Sequence, residues 1–351
     1  MGLLVNGIWR DQWYETSSTG GAFVRPDAQF RQHVTADGSS GFPAEAGRYH
    51  LYVSYACPWA SRTLVLRTLK KLEDAISLSV VDPYMGEQGW WFSDGPGCIP
   101  DVVNGYRYLH QVYTRAKLNY TGRVTVPVLW DKQTSAIVNN ESAEIVRMLN
   151  SEFGAFGDSS VDFYPEPLRA EIDRVNDLVY DRVNNGVYKA GFATSQEAYE
   201  KAYDELFAAL DQLEQRLGGS RYLVGDRLTE ADWRLFTTLV RFDPVYHGHF
   251  KCNRGRLVDF PNLWGYTREL YQIPGIAETV SFDHIKQHYY RSQKTVNPTG
   301  IVAKGPSIDF EAPHGRGGNV ECETTSEKPQ RPKKPTPAKR SKRPTRSGGR
   351  S

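Results

Sequence analysis

The chain of 351 residues predicts an α/β unit with a mixed sheet followed by an all-helical domain. Three observations carry this. Over about 47–152 the apolar pattern switches between strand and helix periods, in the order β-α-β-α-β-β-α. From residue 168 only three- and four-residue spacings remain. Between the two lies a linker containing Gly154, Gly157, Pro165 and Pro167. At roughly 100–200 residues per domain, the length suits two cores.

Residues 1–46 mix Trp9, Trp13, Tyr14 and Phe23 with Gly20-Gly21 and Ser39-Ser40-Gly41, which reads as an irregular extension packed on a domain. Strands are expected over 51–55 and 76–82, with a helix over 59–72 between them. A loop rich in Gly and aromatic residues follows (Gly86, Gly89, Trp90, Trp91, Phe92, Gly95, Gly97). A short helix over 108–117, a hairpin over 126–130 and 136–138, and a helix over 142–150 close this unit. In the helical domain, 165–300, helices are expected over 168–183, 196–217, 230–240 and, last, 262–271 between Pro261 and Pro274. The third has a full start signal, with Thr229 as N-cap, Asp232 at N3 and Leu228 with Trp233 as the staple. Residues 301–327 form a C-terminal extension, and 328–351 are Pro, Lys, Arg, Ser and Thr almost alone, a composition that stays disordered.

Charge separates the tail from the body. The formal charge is +2, but ten of the 43 basic residues lie in 328–351 with no acid among them, which leaves 33 basic against 41 acidic residues, about −8. Nothing in that body asks for nucleic acid. The tail admits three readings: a flexible solubilising segment, a weak nucleic-acid contact, or a nuclear-localisation-like signal. Met1 to Asn6 has no basic n-region, so no signal peptide is expected. No apolar run approaches the ~20 residues that span a bilayer. Cys57, Cys98, Cys252 and Cys322 form no C-x-x-C pair, which argues against a disulfide framework or a zinc site and for a reducing cytoplasm.

The sharpest chemical signal is Cys57-Pro58 at the end of a strand-like run and the start of a helix. Free N–H groups and the helix dipole at that point favour a thiolate, and proline fits the first helical position. A cysteine taken alone is more often an inert buried thiol, and Cys98, Cys252 and Cys322 keep that reading.

Cys57-Pro58-Trp59-Ala60, Gly89-Trp90-Trp91-Phe92, the run from Gly122 to Asp131, Asn139-Asn140-Glu141-Ser142, Ile285 to Tyr290 and Asn297 to Ile301 occur in that order. Together they resemble the glutathione transferase superfamily and, within it, the xi class, the glutathionyl-hydroquinone reductases. The resemblance implies a thioredoxin-like glutathione-binding domain over 47–152 and a transferase-type all-α domain over 165–300. It further implies glutathione as co-substrate, no metal, a glutathionylated aromatic or quinone substrate, and a homodimer.

It also assigns residues. Val126 precedes the proline that is cis in thioredoxin-like folds, where its backbone can pair with an extended peptide. Glu141 and Ser142, at a helix start, would hold the γ-glutamyl group. Trp90 and Arg123 would hold the remainder of glutathione, Arg123 through a carboxylate. Tyr188, Tyr246 and Tyr289 would supply phenol hydroxyls to the ring oxygen; block alignment favours Tyr289 over Tyr290, and spacing leaves the choice open. In the implied reaction Cys57 attacks the glutathione sulfur, the hydroquinone leaves, and a second glutathione resolves the mixed disulfide.

Local readings without chemistry stand beside these. Trp90 and Trp91 make a hydrophobic plug, Arg123 a solvated charge, Glu141-Ser142 a helix cap, and any one of 20 tyrosines a packing residue. His50, His110, His247 and His249 lack metal-like spacing and read as structural, and the Asn119-Tyr120-Thr121 sequon means nothing without a secretory signal. Two other functions remain open: an omega-like thiol transferase or dehydroascorbate reductase, and a non-catalytic transferase-like module whose tail recruits nucleic acid or a partner.

Overall fold

The computed structural model describes residues 2–317 and 348–349. Cys322 and the basic tail, apart from those two glycines, lie outside the described residues.

The first half is built on the sheet β4-β3-β6-β7, from β3 (Tyr49–Val53), β4 (Ile76–Val80), β6 (Val128–Asp131) and β7 (Ala136–Asn139). Strand β3 runs parallel to β4 and antiparallel to β6, and every one of its residues is buried. A central strand covered on both faces needs such a continuous apolar run. His50 fits there because its two ring nitrogens reach the Ser77 and Ser79 hydroxyls at 2.7 and 2.9 Å. Helix α1 (Pro58–Leu69) crosses from β3 to β4, α2 is Leu109–Ala116 and α3 is Ser142–Ser151.

Two differences from the sequence expectation concern the ends of this half. The first strand stops at Val53, not residue 55, because the Tyr55 and Ala56 carbonyls are taken by the Arg241 side chain at 2.8 and 3.0 Å. The N-terminal extension is not wholly irregular either. Strands β1 (Leu3–Val5) and β2 (Ile8–Arg10) form a hairpin, and β1 pairs with β5 (Gly122–Arg123) beside the main sheet. Its turn is Asn6-Gly7, both at positive φ (49° and 77°), the pair that two-residue hairpins favour.

The second half is helical: α4 (Arg169–Leu178), α5 (Gly186–Gly191), α6 (Gln196–Gly219), α7 (Glu230–Leu239), α8 (Pro261–Tyr271) and α9 (Phe282–Ser292). The helix expected over 168–183 is interrupted, since α4 passes into a π-helical segment, Val179–Asn184, before α5. A second π segment, Phe242–Tyr246, follows α7. Such wide turns shift side chains off the regular helical face, and Tyr188 and Tyr246 lie just beyond or at the end of them. Gly191 permits the close packing there, because a Cβ at that position would lie 2.2 Å from the Phe250 ring. Helix α8 is not the last. Ser281 caps α9, its Oγ accepting from the His284 N–H at 3.2 Å, and His284, Ile285, His288 and Tyr289 are its buried side.

Helix α7 starts as expected. Asp232 accepts from the Thr229 N–H at 2.8 Å and also from Leu223 N–H and Tyr266 O–H, each at 2.9 Å. Helix α1 packs on α3 within its own half and on α7 across the boundary. Residues 301–317 lie along the helical half, with Phe310 among Trp264, Tyr271 and Phe282 and Arg316 paired to Glu269 at 2.7 Å.

Candidate active site

Cys57 is the N-cap of α1, in extended conformation, with Pro58 as the first helical residue. Its Sγ lies 3.6 Å from the Val126 carbonyl and donates to it; the Val126–Pro127 bond is cis. The residue is half-buried, and burial pushes its thiol up from the ordinary value, against the pull of the Ala60 and Trp59 backbone N–H groups and the Arg241 and Arg25 charges. This corrects the expectation of a resting thiolate. The helix terminus acts in the expected direction, but removal of the sulfur from water outweighs it.

Arg241 supports the nucleophile from the helical half. Fully buried, it donates to the Ala56 and Tyr55 carbonyls, to Thr237 O at 2.6 Å and to Ser61 Oγ at 3.2 Å. The backbone that leads into Cys57 is therefore held by a residue just past the end of α7.

A cavity of about 160 Å³ opens beside the sulfur and runs between the two halves. Cys57, Trp90, Arg123, Val126, Glu141, Ser142, Tyr188 and Tyr289 all line it; of the residues expected from sequence, Tyr246 alone does not. At one end, Glu141 caps α3 by accepting from the Ala143 N–H at 3.0 Å, and Ser142 Oγ accepts from Arg62 at 3.2 Å. Nearby, Trp90, 5 % exposed, stacks on His288 with ring centroids 4.7 Å apart. His288 Nδ1 donates to Pro83 O at 3.0 Å, and burial takes this imidazole down to about 3, which keeps it neutral. Arg123 is no solvated charge. Its guanidinium donates to the Gln12 and Trp13 carbonyls at 2.5 and 2.9 Å and lies over the Tyr14 ring, and burial lowers its pKa.

At the other end the three tyrosines converge. The Tyr289 hydroxyl bonds both Tyr188 and, at 2.8 Å, Tyr246. Burial drives Tyr188 and Tyr289 well above the usual phenol value and Tyr246 up to about 12, so all three are neutral phenols at pH 7. Three hydroxyls joined by two bonds leave one O–H hydrogen unused. Because Tyr289 sits between the other two, that hydrogen can be delivered from Tyr289 or Tyr188 into the cavity. Tyr290 points elsewhere, donating to Pro244 O at 3.3 Å.

Sequence reasoning missed Arg25, whose guanidinium lies 3.9 Å from the Trp59 ring centre and 4.9 Å from that of Tyr188. It also missed Arg62, Arg241 and His288. The motif Cys57 to Ala60 lies directly before Ser61-Arg62, so Arg62 had a positional signal; Arg25, Arg241 and His288 had none without the fold. Among the described residues Cys57, Cys98 and Cys252 are free, no three His, Cys, Asp or Glu side chains gather where a metal could be held, and no helix is long and apolar enough to cross a membrane.

Residues 56–152 match the family model of the glutathione S-transferase N-terminal domain, and residues 196–269 that of the glutathione S-transferase C-terminal domain. The chain is 58% identical over 323 residues to glutathionyl-hydroquinone reductase YqjG of Escherichia coli (strain K12), covering 90% of this chain and 98% of that protein. It is 56% identical over 307 residues to glutathionyl-hydroquinone reductase PcpF of Sphingobium chlorophenolicum, covering 88% and 97%. The glutathione-bound structure of YqjG superposes with a TM-score of 0.84, over 90% of this chain and 99% of that one at 54% identity. A xi-class glutathione transferase from Natrialba magadii gives 0.84 over 90% and 96%, at 56% identity.

Proposed function

The chain belongs to the xi class of glutathione transferases, the glutathionyl-hydroquinone reductases, and on that premise we propose how its own residues carry out the glutathione-dependent reduction of a glutathionyl-hydroquinone. The glutathionyl part lies along Val126, with its γ-glutamyl end at Glu141 and Ser142 and its remainder against Trp90 and Arg123. The aromatic ring lies toward Tyr188 and Tyr289. One observation carries this reading: the Cys57 sulfur shares one cavity with a helix start suited to an amino-acid terminus, at Glu141 and Ser142, and with two neutral phenols, Tyr188 and Tyr289.

Docking prepares the thiol. The Val126 carbonyl that accepts from Sγ is the group an extended peptide needs for its own N–H. A peptide N–H donated to that carbonyl weakens its hold on the thiol hydrogen, while the Trp59 and Ala60 N–H groups favour the thiolate, so the thiol gives up its proton to solvent. The thiolate attacks the glutathione sulfur. With the ring in its keto form, its sulfur-bearing carbon having taken up a proton and its hydroxyl having given one up, a Cys57–glutathione disulfide forms, the carbon–sulfur bond breaks, its electron pair restores the aromatic ring, and the phenolate oxygen so formed takes up a proton to give the hydroquinone. Tyr289 and Tyr188 donate to the ring oxygen, where charge gathers as the bond breaks; Tyr246 bonds Tyr289 from behind and orients it. A second glutathione thiolate then attacks the glutathione sulfur of the disulfide, releasing oxidised glutathione and the Cys57 thiolate. Position 60 is Ala60, so no second cysteine of a C-x-x-C pair competes for this step.

The reading extends to a homodimer, on the strength of the family resemblance, and to a reducing cytoplasm, on the cysteine spacing; sedimentation of the purified protein tests the first part. The decisive chemical experiment is mass spectrometry of the protein after one equivalent of a glutathionyl-hydroquinone in the absence of free glutathione. The expected product is hydroquinone together with one glutathione bound to Cys57. Hydroquinone formed with no adduct on that residue would refute the route. A substrate panel that places dehydroascorbate or protein mixed disulfides ahead of glutathionyl-hydroquinones would favour an omega-like thiol transferase instead.

A further inference from the structure

Arg62 lies behind Ser142, a residue that lines the cavity, and the mechanism leaves it without a task. It lies on α1, five residues after the nucleophile, and is 1 % exposed. Its Nη2 donates to Asn184 Oδ1 at 2.6 Å and its Nη1 to Ser142 Oγ at 3.2 Å, while Nε has no partner. Among the described residues no carboxylate forms an ion pair with it. Its neighbour Arg234 is paired with Glu230 at 3.6 Å. Burial and the Arg234 charge lower the Arg62 pKa to about 9, against the pull of the Glu141 carboxylate, and it is still a cation at neutral pH. A buried charge of this kind is costly, so its balance is informative.

The bond to Ser142 decides what that hydroxyl can do. A guanidinium only donates, so Ser142 Oγ must accept from Arg62, and its own hydrogen is left to be donated. Among the described residues the acceptor beside it is Glu141 Oε1 at 3.5 Å, too long for a good bond. Ser142 thus presents an O–H, backed by the Arg62 charge, at the start of α3, where the helix dipole favours an anion.

We propose that Arg62 is a positioning residue for glutathione: it holds Ser142 as an obligate donor and supplies the charge behind it, so that the site selects the α-carboxylate of the γ-glutamyl group. Glu141, a carboxylate, reads the amino group of the same unit. Because Asn184 Nδ2 donates in turn to Arg234 O and Thr238 Oγ1, the Arg62 bridge also ties this end of the site to α7. The inference rests on the placement of the γ-glutamyl end proposed above.

The test uses three unreactive ligands in isothermal titration calorimetry on the full chain: S-methylglutathione; the same molecule without the α-carboxylate, 4-aminobutanoyl-S-methylcysteinylglycine; and the same molecule without the amino group, glutaryl-S-methylcysteinylglycine. The wild type is expected to prefer S-methylglutathione over the first analogue by about 10- to 100-fold, the range of a lost charge-assisted hydrogen bond. Arg62→Met should reduce that preference to about threefold or less and leave the preference over the glutaryl analogue unchanged, which general disruption of the pocket would not do. Should the methionine variant fail to fold, Arg62→Gln is measured in its place, with the same loss expected. Full carboxylate preference in the folded variant overturns the role of Arg62 alone. No such preference in the wild type overturns the placement of the γ-glutamyl end, and this inference with it.

Discussion

At the scale of single residues, the sulfur of Cys57 sets the chemistry and its surroundings set the timing. Serine cannot form a disulfide with glutathione, so Cys57→Ser is expected to lower turnover of a glutathionyl-hydroquinone by at least about 10³-fold, measured by hydroquinone release. Burial raises the thiol pKa in the free protein, and kcat/KM reports the free enzyme. The reactive anion therefore gains with rising pH, and kcat/KM for the glutathionyl substrate should climb through neutrality and past the ordinary thiol value. A flat profile between about pH 6 and 8 would mean a thiolate already present at rest. Tyr289→Phe removes the hydroxyl that joins the other two and should cut kcat by about 10- to 100-fold with little change in the KM for glutathione. Tyr290→Phe, whose hydroxyl bonds Pro244 O, should stay near wild type. The location of the thiol was legible from Cys57-Pro58, whose meaning at a helix start is local. Its ionisation was not, because that depends on the water excluded by side chains distant in the chain.

Among the elements, those with local start signals were readable and those without were not. Helix α7 begins where Thr229 and Asp232 say it should, with both arms of the capping box formed. Asp232 does more than cap, since it also accepts from Leu223 N–H and Tyr266 O–H. Asp232→Ala should therefore cost more than the ~1 kcal/mol of a lost cap, on the order of 2–4 kcal/mol, as two further buried donors lose their acceptor; urea unfolding measures this. Helix α9 went unread because its buried side is His284, Ile285, His288 and Tyr289, and three of those four are polar enough to blur the apolar period. The π segments went unread because residue propensity carries no signal for a wide turn. The Asn6-Gly7 hairpin did have a signal, yet three-residue strands carry too little pattern to announce themselves without β5 to pair with.

For the molecule as a whole, buried titratable groups make folding sensitive to acid. Burial lowers His50 and His249 to about 4 and His288 to about 3, from 6.5. As pH falls below that unfolded value, the unfolded chain takes up protons that the folded one refuses. The stability these groups contribute is full above about 6.5 and is lost as pH drops through their folded values. Asp232, held up to about 6 by burial, acts oppositely: its contribution is present below 3.8 and lost as pH rises through 6. Three imidazoles outweigh one carboxyl, so the thermal midpoint should fall between pH 7 and 4, followed by circular dichroism; a midpoint that rises over that range would contradict the burial of these rings.

The grip of Arg241 on the Tyr55 and Ala56 carbonyls has a wider bearing. One half of the chain carries the reactive atom and the other half aims it, so neither is a self-sufficient module. Chimaeras that splice the first half of this protein to the second half of a distant transferase should fold yet remain poor catalysts unless an arginine returns to that place. Divergence of the two halves is thereby coupled, and any lineage that swapped one would have had to re-establish this single handhold.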